Sequence, residues 1–175
     1  NDKLWRLSRA RIPWLLVGLC GGIFGSRIIG SYEDQIKIHP EMAYFIPLIG
    51  AMGGNVGVQT SAIIVQGLAN DDIRGSVNNR LIKETVLSIL NGFILSVILF
   101  LFIMLSGEEY LVALAISISL VIVIIVAGII GTFIPLFLDK RGIDPAIATG
   151  PFITTSNDIF GILIYFYIAK LILPI

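Results

Sequence analysis

The residue with the most chemistry to offer is Asp158, a carboxylate in the middle of the run from Ile147 to Phe166, which otherwise reads as a membrane span. Every other acid in the chain lies at or beyond the end of a hydrophobic segment. A lone Asp at bilayer depth costs about 2.5–3.5 kcal/mol on insertion scales, and such charges mark ion, proton or substrate paths. On a helix turning about 100° per residue, Gly150, Pro151, Thr154, Thr155, Asp158, Gly161, Ile162 and Tyr165 fall on one face. Pro151 has no N–H, so a helix running through it leaves the carbonyl of Ile147 without its partner. A polar groove with carbonyl oxygens and one carboxylate suits a hard cation. Mg2+ in particular keeps several of its waters and takes only one or two carboxylates. The plainer role for Asp158 is a bond to Asn55, Gln59 or Arg27 that serves assembly alone.

A second polar cluster runs from Pro47 to Ala62. Gly50 and Gly54 are four apart, as are Gly53 and Gly57, a spacing that lets helices approach closely in a membrane. Asn55 and Gln59, one turn apart, both carry amide oxygens, and Pro47 frees the carbonyl of Ala43. Packing and pore lining can both hold here, on different faces of one helix. Ser88, Asn91, Gly92 and Ser96, and further on Ser117, Ser119, Gly128 and Gly131, are expected to make contacts between helices.

The elements that position these residues follow from hydropathy. The chain has 175 residues, of which 56% are hydrophobic and 14% charged, where a soluble domain has about 25% charged. Mean hydropathy is +0.93. A helix needs about 20 apolar residues to cross the hydrocarbon core. Five segments qualify, roughly residues 12–30, 42–69, 85–106, 110–138 and 145–173. The fold class is therefore all-α, a polytopic membrane protein with the lipid bilayer as its solvent. Asp144 as N-cap and Pro145 as first helical residue open the last span.

Lys3, Arg6, Arg9, Arg11, Arg74, Arg80, Lys83, Lys140 and Arg141 fall on one side of these five spans, and Lys37 and Lys170 on the other. The positive-inside rule then predicts a cytoplasmic N-terminus and an external C-terminus in the cell (inner or plasma) membrane. Arg27 is expected to snorkel near Glu33 and Asp34. Formal net charge is zero, which gives no reason to propose nucleic acid as a partner. The single cysteine, Cys20, is expected to be a small buried residue. The single histidine, His39, lies in a polar connection, which disfavours a His-based metal site in one chain. The chain opens on Asn1, and we expect it to be a fragment whose upstream part is missing. Five spans cannot divide into two equal inverted halves. A pathway on a symmetry axis then calls for a second copy, and a parallel homodimer is the natural expectation.

The stretch from Pro47 through Gly54, Asn55 and Gly57 to Gln59 resembles the signature of the MgtE family of magnesium channels. Asp144 through Gly150 and Pro151, followed by Thr154, Thr155, Asp158 and Gly161, is similar to the family's last span. The resemblance covers essentially the whole chain. It implies a homodimer with a pore on the twofold axis, lined mainly by the second and fifth spans, with Asp158 as the ion-selecting residue. It implies contacts to a hydrated ion from the backbone carbonyls of Thr154 and Gly150, with Asn55 lining the pore. The family often has Asn and Ala at those two carbonyl positions, a change that recognition by carbonyls tolerates. Members usually carry a basic residue where this chain has Gln66. They also have N-terminal cytoplasmic regulatory domains, a superhelical domain and paired CBS domains, that are absent here. The resemblance further suggests that Glu84 and Asp144 face that sensor; helix capping and a solvated loop charge are the simpler roles for them.

The leading functional expectation is passive transport of Mg2+, selected by Asp158. Oxygen ligands separate Mg2+ poorly from Mn2+, Co2+, Ca2+ or Ni2+. The alternative is a secondary transporter coupled to protons or Na+ through Asp158. An intramembrane aspartyl protease needs two close carboxylates, which one chain lacks, and a purely structural subunit leaves Asp158 without an ion. We therefore expect no enzyme activity.

Overall fold

The computed structural model describes residues 2–70, 77–148 and 150–174. Its helices are α1 (Asp2–Ser31), α2 (Glu33–Ile38), α3 (Glu41–Ala69), α4 (Val77–Leu105), α5 (Tyr110–Lys140) and α6 (Pro151–Ile172), with a 3-10 turn over Pro145–Ala148. No strand occurs among the described residues. All but α2 are long and apolar enough to cross a membrane, so the chain is an all-helical, multi-pass membrane protein with five candidate spans. Of the polar connection after α3, Asp71, Asp72 and Arg74 lie outside the described residues.

Helices in lipid gain little from the hydrophobic effect and associate through close packing of small residues. That explains why α5 is the hub. Over its most apolar stretch 56% of positions are buried, against 11% in α1. It packs on α3, α4 and α6, whereas α4 leans mainly on α5 and α1 mainly on α6. The contacts fall at glycines. A methyl group at Gly131 would lie 2.6 Å from the carbonyl oxygen of Gly57. Gly128 receives the Ser88 side chain, and Gly92 faces the backbone of Val121. For Ser88, Gly92, Gly128 and Gly131 the packing shows the expected interhelical role, whereas the Ser119 hydroxyl bonds the Ala115 carbonyl of its own helix.

At the end of the bundle where α3 begins, buried Tyr165 donates a hydrogen bond to the carbonyl of Met42 at 2.8 Å. Tyr32 stacks on Phe166 with ring centroids 4.8 Å apart. A helix start leaves N–H groups unpaired and not carbonyls, so removing the Tyr165 hydroxyl takes only a second hydrogen bond from the Met42 carbonyl at the start of α3. Tyr165→Phe should therefore cost about 1 kcal/mol, read as a lowered thermal midpoint in detergent with no change in helix content.

Three local expectations are corrected. The last span begins at Pro151, not Pro145. Asp144 does cap, accepting the Ala146 N–H at 2.9 Å, but it caps the 3-10 turn. Proline disfavours the helical conformation in the residue before it, and Gly150 adopts φ 96°. The helix therefore restarts with Pro151 in its first turn, where the missing N–H costs nothing. No continuous helix runs through Pro151 to strip Ile147 of a partner. Cys20 is exposed, because α1 meets α6 through Gly21 and Gly25 and presents Cys20 beside that seam. Finally, Arg27 is exposed, and the acids expected beside it pair with Lys37 instead, Glu33 at 2.9 Å and Asp34 at 3.7 Å. The hydrogen bond that the Lys37 ammonium donates to Glu33 holds it above its ordinary pKa.

Candidate cation-binding groove

Three helices enclose a groove of about 710 Å3. Gly18, Gly21, Gly22 and Gly25 of α1 form one wall, Pro47, Gly50, Gly54, Asn55 and Gln59 of α3 another, and Thr154, Thr155 and Asp158 of α6 the third. Among the described residues Asp158 is the only charged side chain on this lining. It stands half-buried beside the two α3 glycines: a methyl group at Gly50 would lie 3.5 Å from its Oδ1, and one at Gly54 3.9 Å. Side chains larger than glycine at either position would fill the space in front of the carboxylate. Among the described residues Asp158 has no hydrogen-bond or ion-pair partner. It makes none of the bonds to Asn55, Gln59 or Arg27 that a role in assembly alone would use.

The two glycine stripes of α3 separate by face. Gly50 and Gly54 look into the groove. Gly53 and Gly57 form the adjoining strip, Gly53 toward Val123 at 3.0 Å and Asn157, Gly57 toward Asn157 and Ile153. Helix packing and groove lining thus use neighbouring strips of one helix, about 60° apart.

Asn157 was not singled out in the sequence. It is 2% exposed and its Nδ2 has no hydrogen-bond partner. Its side chain seats in the notch over Gly57, one residue before Asp158. A helical step of about 100° then turns Asp158 away from that notch and into the groove. Its polar type concealed this role; only its place beside Asp158 and opposite the Gly53 and Gly57 pair could have suggested it. The α1 wall was missed too. Its signal was the spacing of Gly18, Gly21, Gly22 and Gly25.

The remaining residues sit as follows. Thr154 lines the groove, its methyl 3.6 Å from a methyl placed at Gly54. Thr155 lines it against Gly21. Gly150 and Pro151 are not on the lining. The Gly150 carbonyl accepts the Thr154 N–H at 3.0 Å, which leaves one lone pair of that oxygen for another donor or a cation. Gln59 lines both this groove and a smaller cavity of about 140 Å3 between α3 and α4 that contains Glu84. Glu84 is buried and paired with Arg80 at 3.1 Å; Asp144 is exposed.

Chemically, the groove offers one carboxylate, the amide oxygens of Asn55 and Gln59 and the threonine hydroxyls. No trio of His, Cys, Asp or Glu side chains that could hold a metal ion converges among the described residues. A hard cation here would meet the protein at few points and keep much of its water.

These features define a polytopic membrane protein in which, among the described residues, one carboxylate, Asp158, faces a groove between three candidate spans. The family profile MgtE, described as "Divalent cation transporter", matches residues 46–168, a stretch that includes both glycine stripes and Asp158, and the chain belongs to that family. It is 38% identical over 170 residues to "Magnesium transporter MgtE" of Bacillus subtilis, covering 97% of this chain and 38% of the relative. To the protein of that name from Enterococcus faecalis it is 35% identical over 172 residues, 98% of this chain and 38% of the relative. To that from Thermus thermophilus it is 30% identical over 165 residues, 94% of this chain and 36% of the relative. The relatives are named as transporters, and the family is not one of enzymes. The chain spans about 38% of the length of the first two of these relatives.

Proposed function

We propose that this chain forms the membrane pathway of a passive Mg2+ channel, in which the Asp158 carboxylate selects a largely hydrated ion. The observation that carries the reading is the unpaired carboxylate facing Gly50 and Gly54 in the groove. A charge that costs about 2.5–3.5 kcal/mol to insert and has no partner among the described residues is compensated when a cation arrives. Thr154, on the groove lining, supplies a carbonyl oxygen one turn before it, the spare lone pair of the Gly150 carbonyl, off that lining, serves the ion a further turn along its path, and Asn55, Gln59 and Thr155 hold the ion's outer waters. Water-mediated contact of this kind suits Mg2+, which dehydrates reluctantly.

One carboxylate balances half the charge of the ion, so the complete site uses a second copy, in a parallel homodimer with the groove at the axis. The thin burial of α1 and the exposure of Asn55 and Gln59 in one chain support that arrangement. With the N-terminus cytoplasmic, the interior-negative potential drives uptake, and a divalent ion gains about 4.6 kcal/mol per 100 mV, twice the single-charge value. Regulation by internal Mg2+ belongs to the part of the relatives' length that this chain does not span. Proteoliposomes bearing this chain alone should therefore conduct at a rate independent of Mg2+ on the cytoplasmic face.

The test of the mechanism is Mg2+ uptake into liposomes loaded with a fluorescent indicator. Uptake should follow the Mg2+ gradient and the membrane potential, and should survive the collapse of proton and Na+ gradients. Uptake that stops when either gradient is collapsed would replace the channel with a coupled secondary transporter.

A further inference from the structure

His39 is the only histidine in the 175 residues. It is 9% exposed, in the connection between α2 and α3. Its ring lies between two oxygen atoms: Nδ1 is 3.2 Å from Oε1 of Glu41, and Nε2 is 3.3 Å from the carbonyl oxygen of Pro174. A carbonyl can only accept a hydrogen bond, and so can an ionised carboxylate. A neutral imidazole has one N–H and one bare nitrogen, whereas an imidazolium has two N–H groups. Only the protonated ring can make both bonds.

The two partners belong to different groove helices. Glu41 is the first residue of α3, and Pro174 lies two residues beyond the end of α6. Among the described residues the other charged and titratable groups at this end are engaged elsewhere, exposed, or on the connection before α5, where Glu108 is half-buried and Glu109 and Tyr110 are exposed. Lys37 is held by Glu33 and Asp34 on α2. The Tyr165 hydroxyl donates to Met42, Tyr32 stacks on Phe166, and Lys170 in the last turn of α6 is exposed. Glu41 is the one charged group paired with the ring.

We infer that His39 is a proton-operated clasp that ties the C-terminal end of α6 to the start of α3. Protonated, the ring bridges Glu41 and Pro174. On losing one proton it keeps Nδ1–H, because a bond to a carboxylate is stronger than one to a neutral carbonyl. The bare Nε2 then faces the Pro174 oxygen, lone pair against lone pair, and the end of α6 is released. The helix carrying Asp158 is thus fastened at one end by a bond that depends on proton concentration. This goes beyond the transport reading and does not rest on it.

With one histidine, the experiment is direct. The chain is labelled with 15N-histidine, purified on a histidine-free affinity tag and placed in lipid nanodiscs. Ring nitrogen spectra are taken at about pH 5.5 and about pH 8.5. Both nitrogens should carry protons at the lower pH, and only Nδ1 at the higher. In Glu41→Gln that choice of tautomer should be lost. Amide exchange of residues 170–173, corrected for its intrinsic pH dependence, should rise about three- to tenfold at the higher pH, the loss of one net hydrogen bond, and should stay level in His39→Phe. A neutral ring protonated on Nε2 overturns the inference, as does equal protection of residues 170–173 at both pH values in the unmodified chain. Both of these readouts come from the unmodified chain, so a variant that fails to fold does not shield the proposal.

Discussion

Asp158→Asn and Asp158→Ala should each reduce Mg2+ flux by about 100-fold or more. Asparagine keeps the shape and an oxygen but removes the only charge on the groove lining. A divalent ion held through one water layer, about 5 Å from a carboxylate at an effective dielectric of about 20, is stabilised by on the order of several kcal/mol. Each 1.4 kcal/mol is a factor of ten, so the expected loss sits well inside what charge removal can do. The stability effect should have the opposite sign. A partnerless carboxylate within a span is costly, and among the described residues Asp158 has no partner to orphan. Both variants should therefore match or exceed the thermal midpoint of the unmodified chain. Near-normal flux in both would sink the assignment of Asp158, and a large fall in thermal midpoint would return the residue to an assembly role.

The second large effect concerns packing. Gly131→Ala should destabilise the bundle by about 1–3 kcal/mol or more, the cost of overpacking. The added methyl would lie 2.6 Å from the Gly57 carbonyl oxygen and 3.1 Å from Thr60 Cβ. A backbone oxygen cannot rotate aside, so α3 and α5 must separate. The same separation lifts Gly57 from the notch where Asn157 seats, and α6 loses the contact that sets its rotation. Gly30→Ala is the control: nothing lies within 4 Å of the added methyl, and alanine favours helix over glycine by up to about 1 kcal/mol. Thermal unfolding in detergent should show a clear drop for Gly131→Ala and none for Gly30→Ala. Equal midpoints would mean that the α3–α5 contact is looser than described.

Much of this architecture was legible because a bilayer imposes a strong length and hydropathy rule. The spans of α3 and α5 agree with the sequence expectation within about two residues at each end. Asp158 was legible because it is one acid in an apolar run. The start of α6 was not, since the sequence holds two valid helix starts six residues apart. Asp144–Pro145 has a good cap, but Gly150–Pro151 forces a break, and the break prevails because no residue before proline readily stays helical. Helix partners were also hidden. Hydropathy shows that α1 can enter a membrane but not that its glycines meet Thr155 and Ile162. Asn157 is an amide whose burial follows from two glycines about 100 positions earlier in the chain, a pairing that only the fold creates. The Arg80–Glu84 pair had a visible cue in its four-residue spacing, which turns Glu84 inward toward Gln59 rather than out from the bundle.

The proposal that two copies hold a hydrated ion between their Asp158 carboxylates is tested most directly by a structure of the assembled protein in Mg2+. We expect ion density on a twofold axis, flanked by both carboxylates. Each carboxylate oxygen should stand about 4–5 Å from the metal, which is one Mg–water bond of about 2.1 Å plus one hydrogen bond of about 2.7 Å. Direct ligation at about 2.1 Å, or Asp158 facing lipid with the ion elsewhere, would contradict it.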